Sequence, residues 1–292
     1  MPETSEKNRK IMSYIAIIIG ALMVAIVPFL VQTSLDRVLA HLLEHSKAHP
    51  QFASGLKLFD LFYPVWRALI FVGGVTLIVT SQEIGKGARW AYQLALLCLA
   101  LPSVGGMFMF LPYVSFVPGF PLPMAITLIG LAGFWSLILL REGTRIEKIT
   151  RFAALTFIGM MATHSFTIGV GAQRTMMTRP GYPLYESMQV WMFNFVGWVN
   201  WTAFILLVAS IPLLAVGRRR GWWMVIIAVV SVLLINVPTQ IIRTNTLDYL
   251  YGALLAIGVL IFTALPYFKQ HLLDEEVEAK DEVAAELRQR PA

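Results

Sequence analysis

The sequence predicts an all-α, polytopic membrane bundle of about eight transmembrane helices, and three observations carry that prediction. Of the 292 residues, 57% are hydrophobic and only 14% are charged. A soluble domain carries roughly 25% charged residues and has nowhere to hide such an apolar excess. Apolar runs of roughly 20 residues recur along the chain, the length that crosses about 30 Å of hydrocarbon. Finally, the segments between runs alternate between rich and poor in lysine and arginine, as loops on opposite sides of a bilayer do.

The elements follow in order. A polar, basic leader precedes a first span at residues 11–31; that run is long and lacks a small-x-small cleavage site, so no cleavable signal is expected. A polar stretch, 32–57, leads to span two at 58–80. After the charged turn SQEIGKGAR comes span three at 90–111, ending in the proline-rich LPYVSFVPGFPLP. Span four (124–140) ends in REGTRIEKITR, and span five (152–170) runs into the polar loop AQRTMMTRPGYPLYESMQ. Span six (190–215) closes with GRRRGWW, span seven (224–242) with RTNTLD, and span eight covers 249–265. A charged tail, 269–292, is rich in helix formers and reads as a solvated cytoplasmic segment.

With the N-terminus inside, the inner segments collect roughly twice as many lysines and arginines as the outer ones, Arg9, Arg141, Lys148, Arg151 and Arg218 among them. Both termini are therefore expected in the cytoplasm, with the chain integral to the cell (inner or plasma) membrane. The net charge of +6 is explained by that bias, so no nucleic acid is expected as a partner. The halves 11–141 and 149–268 share an order of span, long outer segment, span and basic turn. Two parallel four-helix repeats about an axis along the membrane normal would produce that order.

Polar groups inside spans are costly in lipid and face a bundle interior or a cavity. Asp60 and Arg67 share a face of span two, two turns apart. His164 lies in span five, Asn194 and Asn200 in span six, and Asn236, Gln240 and Arg243 at the outer end of span seven. The outer loop adds Arg174, Arg179, Tyr182, Tyr185 and Glu186. One reading gathers these into a polar pocket open to the outer face, its arginines suited to a carboxylate, phosphate or sulfate. The bland reading gives Arg67 an ion pair with Asp60 and has the asparagines and His164 bridge helices.

In the first outer segment His41, His45 and His49 recur every four residues and stack on one helical face, a spacing that two-histidine zinc or copper sites use. The zincin pattern, however, needs glutamate where Leu42 stands. Leu35, Val38, Leu39, Leu42 and Leu43 form the opposite stripe of an amphipathic helix lying on the outer interface.

No cofactor is expected: His164 is the only histidine within a span, too few for a two-histidine haem, and no phosphate loop or nucleophile elbow is present. Lone Cys98 excludes an internal disulfide. Three functional readings follow. The first is binding or transport of a small anionic or amphipathic ligand through the outer pocket. The second is a non-catalytic subunit of a larger, quinone-linked membrane complex, with a membrane-protein partner or second copy. The third is an enzyme on a lipid-linked substrate, using Asp60, His164 or Glu186 as acid or base.

Overall fold

Each helix starts and stops where local chemistry dictates. A computed structural model of the chain describes residues 4–177, 188–242 and 246–274. Helix α1 (Glu6–Ala25) is capped by Ser5, whose side chain accepts from the Asn8 amide, and yields at Ile26 to α2 (Val27–Ala48), which carries Pro28 in its first turn. After the 3-10 turn Pro50–Phe52, α3 (Ala53–Lys86) runs until Gly87, whose φ of 81° supplies the left-handed cap. Helices α4 (Arg89–Phe116) and α5 (Leu122–Leu140) follow. In α6 (Arg145–Met177), Thr144 and Glu147 exchange side-chain-to-amide bonds of 3.3 and 3.1 Å, a reciprocal capping box. Then come α7 (Met188–Leu214), α8 (Arg219–Ile242), α9 (Asp248–Ala264) and α10 (Pro266–Leu272), the last bent 69° from α9 at Leu265 and Pro266.

Seven of these segments are long and apolar enough to cross a membrane, and α9 with α10 makes an eighth if the bent pair is one span. The polarity is inverted relative to a soluble protein. Phe29, Val79, Leu234 and Ile241 lie more than 70% exposed, while Asn200 and Asn236 are wholly buried. Such a surface is stable against hydrocarbon and costly against water. The helices are thus compatible with a multi-pass membrane protein.

The helices close into two four-membered rings. In the first half, α1 packs on α3, α3 on α4, α4 on α5, and α5 back on α1; α6, α7, α8 and α9 repeat that circuit. Helices α4, α5, α3 and α6, with α7, form the seam between the rings. Six aromatic rings fill much of it: Phe62, Trp66, Phe108, Phe166, Trp201 and Phe204 contact one another at centroid distances of 4.7–6.4 Å. One end of the bundle, which we call the N-terminal face, gathers the start of α1, the turn at Gly87, the end of α5 and the end of α7. There the Asn8 side-chain amide donates to the Leu140 carbonyl at 3.1 Å and the Asp274 amide to the Gly217 carbonyl at 3.0 Å. The other end is the distal face.

Two elements depart from the sequence expectation. The amphipathic helix expected within 32–57 does not lie on the interface: α2 continues α1 in a run of 43 residues, and Leu35, Val38 and Leu42 are buried against the bundle. At 1.5 Å per residue that run measures about 64 Å, twice the hydrocarbon thickness, so α2 projects from the distal face. At the other end, the tail does not begin at 269. Residues 266–272 form α10, Lys269 lies 3.9 Å above the Trp222 ring, and Leu272 is fully buried. Of that tail, residues 275–292 lie outside the described residues.

Candidate functional site

The N-terminal face holds the chemistry that the sequence least advertised. Four cations approach it from different elements: Arg9 from α1, Arg141 at the end of α5, and Lys148 and Arg151 in the first two turns of α6. Arg141 and Arg151 are only 3% and 8% exposed. Arg141 stacks over Tyr92 at 5.6 Å and donates through Nη1 to the Ala215 carbonyl, tying the end of α5 to the end of α7. Lys148 Nζ donates to the Leu139 carbonyl at 3.0 Å. Both thus neutralise helix C-termini, whose last carbonyls lack partners.

Arg151 has no such employment. Among the described residues it makes no hydrogen bond or ion pair, and its Nε is a buried donor without an acceptor. Nε of Arg9 and Nε of Arg141 are likewise buried and unmatched. Glu147 and Asp274 lie within electrostatic reach of Arg151, but so does the like charge of Arg141. Burying a guanidinium donor without an acceptor costs free energy in a medium of low dielectric. Where several such donors converge, the arrangement suits a bound anion, since the guanidinium fork matches carboxylate and phosphate oxygens.

Room for one is present. A cavity of about 220 Å³ is lined by Thr4, Arg9, Met12, Gly87, Tyr92 and Arg141. At roughly 30 Å³ per water it has space for several waters or a compact acidic group. A closed cleft beside it, with no room for a water, is lined by Tyr92, Arg141, Glu142, Lys148, Arg151, Leu155 and Ala215, so a carboxylate as well as three cations border it. Gly87 matters here twice: it turns the chain with positive φ, and a Cβ on it would meet Arg9 Cδ at 2.9 Å.

Those of the sequence-selected residues that are described have other neighbours. Arg67 does not pair with Asp60. It donates to the Gln32 carbonyl oxygen, and Gln32 donates on to Asp36 at 2.8 Å, while Asp60 is exposed. The partner comes from α2, 35 residues earlier in the chain. Arg174 sits over the Phe52 ring at 5.5 Å. Gln240 is used by the α8–α9 connection, donating to the Thr246 carbonyl at 2.7 Å and accepting from the Leu250 amide at 2.9 Å. His164 joins a different group: its Nε2 and the Asn236 side-chain nitrogen both press on Gly252 of α9, and Asn236 accepts from Asn200 at 3.1 Å. Arg179, Tyr182, Tyr185, Glu186 and Arg243 lie outside the described residues.

The histidine row is not assembled as a metal site. His41 Nδ1 lies 3.0 Å from the Arg37 carbonyl, and the His45 ring packs on His49 and Phe52 at 4.7 and 5.0 Å. Among the described residues no group of three His, Cys, Asp or Glu is placed to hold a metal ion. The His45 ring also packs near Phe116, at 6.3 Å.

Sequence reading missed Arg141 and Arg151 because it counted them as loop charges. One signal was available: Arg151 stands directly before the apolar run FAALTFIGMMA, inside rather than outside the coming helix. Comparison with family models, curated proteins and solved structures gives no match. What the fold and site define is therefore a class: a helical, multi-pass protein with buried arginines at one end.

Proposed function

We propose that this protein binds, and in doing so sequesters or transports, a small anionic or amphipathic molecule at its N-terminal face, and that this face is the cytoplasmic one. The observation that carries the reading is Arg151, 8% exposed with an unmatched Nε, beside Arg141 and a cavity that Arg9 also lines. A phosphate or carboxylate would supply the missing acceptors and offset the mutual repulsion of the arginines. The orientation rests on the concentration of lysine and arginine at this face. This reading puts the site opposite the outer pocket expected from sequence, of whose described residues Arg67, Arg174 and Gln240 have separate neighbours.

The test uses the full chain purified in mild detergent, with glycerol 3-phosphate and succinate titrated against thermal stability. Arg151→Gln is expected to weaken binding roughly ten- to a hundredfold, the worth of about 1.5–3 kcal/mol for a charged hydrogen bond. Arg67→Ala is expected to leave it unchanged. Binding untouched by Arg151→Gln but lost in Arg67→Ala would return the site to the distal face. A stoichiometric protein partner in native mass spectrometry, with no anion bound, would favour the complex-subunit reading instead.

A further inference from the structure

The closed cleft at Arg151 abuts an open groove. Leu155, one turn along α6 from Arg151, lines both that cleft and a groove of about 330 Å³ between α4, α5 and α6. The groove belongs to the seam between the two helical rings. Its wall is almost wholly apolar: Val104, Met107, Leu131 and Phe134 face Leu155, Gly159 and Met160 across it. Trp135 Nε1 donates to Thr156 Oγ1 at 3.1 Å, joining α5 to α6. Leu128 and Met160, 53% and 49% exposed, flank the opening, so the groove faces the surrounding hydrocarbon rather than the bundle interior.

Gly159 is the reason the groove exists. It lies two turns beyond Arg151 on α6, about 12 Å along the axis. A Cβ built on it would meet nothing within 4 Å. Most of the buried glycines seat a neighbouring helix or ring; Gly159, half-buried, leaves open space. A small residue that nothing packs against, in a seam otherwise filled by aromatic rings, leaves a slot the width of a side chain.

We infer that the ligand of the arginine site is a lipid: an anionic headgroup held by Arg151, Arg141 and Arg9, with a hydrocarbon chain laid in the α4–α5–α6 groove and entering from the bilayer. The inference rests on the anion-binding reading above and adds the class of molecule. Charge and apolarity are arranged end to end along one face of α6, Arg151 then Leu155 then Gly159, which matches an amphipath and not a free anion. A soluble phosphate would use the arginines and leave the groove to bulk lipid.

Phosphatidate and glycerol 3-phosphate, which share the headgroup chemistry, separate the two claims. In native mass spectrometry from an equal mixture of phosphatidate and phosphatidylcholine, the intact protein is expected to retain phosphatidate preferentially. Gly159→Phe, which fills the slot, is expected to lower that retention tenfold or more and to leave glycerol 3-phosphate binding unchanged. Arg151→Gln is expected to lower both. Phosphatidate retention unaltered in Gly159→Phe overturns the lipid inference and leaves the anion site standing; glycerol 3-phosphate binding unaltered in Arg151→Gln overturns the anion site itself. A chain-labelled photoactivatable phosphatidate, used on the unmodified protein in nanodiscs, keeps the test independent of variant folding. Crosslinks concentrated at Leu128, Met160 and their neighbours are expected, and crosslinks spread evenly over exposed positions such as Val79, Ile205 and Leu234 overturn the inference.

Discussion

At the residue scale, glycines decide more than their number suggests, because each is judged by what a side chain there would meet. Gly252 is the sharpest case. A Cβ on it would lie 2.4 Å from the Asn236 side-chain nitrogen and 2.7 Å from His164 Nε2. Both atoms are already buried without a partner, and Asn236 is held in place by its bond from Asn200. Gly252→Ala should therefore destabilise the protein by about 1–3 kcal/mol through overpacking. Gly171→Ala, at a helical position with nothing within 4 Å, should instead be neutral or stabilise by up to about 1 kcal/mol. Thermal unfolding in detergent distinguishes the two, and equal shifts would show that Gly252 has room to relax. The same residue-level logic separates the arginines: Arg141 is committed to the Ala215 carbonyl and the Tyr92 ring, whereas Arg151 has its donors unspent.

At the scale of elements, the α1–α3 crossing shows how a membrane bundle holds together without a hydrophobic drive between helices. Gly20 and Gly74 face each other so closely that a Cβ on either would sit 2.8 Å from the other's carbonyl oxygen. Small residues at such a crossing let backbones approach, and dispersion across the contact replaces the hydrophobic term. Gly20→Leu should force the pair apart and reduce the yield of folded protein severely, read by size-exclusion profile and thermal unfolding. A monodisperse variant of unchanged stability would mean that α1 is not seated where it appears. Helix α2 is held differently. Gln32 reaches Arg67, Arg37 donates to the Tyr113 hydroxyl at 2.9 Å, and Leu42 packs within reach of Gly55. These polar bonds tie α2 to α3 and to α4.

At the scale of the molecule, two four-helix rings with the same circuit of contacts meet along a seam plugged by aromatic rings in one part and open in another. The circuits match as those of any two up-and-down rings of four helices do. Orientation is testable at this scale. In a Cys98→Ser background, Lys47→Cys on the distal face should react with a membrane-impermeant maleimide on intact cells. Lys7→Cys should react only after permeabilisation. The reverse pattern would put the arginine site outside and remove the cytoplasmic reading.

The sequence by itself determined the class of protein, the approximate spans and the unequal charge of the two faces. Those follow from local quantities: the length of apolar runs, the placement of prolines and glycines, and the tally of lysines and arginines between runs. It also located polar positions inside spans, and Asn200, Asn236 and His164 are indeed buried or half-buried. Only tertiary structure decided what those groups face. Arg67 and Asp60 share a helix face in the sequence, yet Arg67 is matched by Gln32 of a helix 35 residues earlier in the chain. Arg141 and Arg151 look like ordinary loop charges until α7 and α4 close over them and bury them. Periodicity reports which side of a helix is apolar but not which neighbour covers it, and the electrostatics of a site depends on the neighbour. The arginine site and the groove beneath it are properties of helices meeting across the seam, where each side chain's partner is distant along the chain.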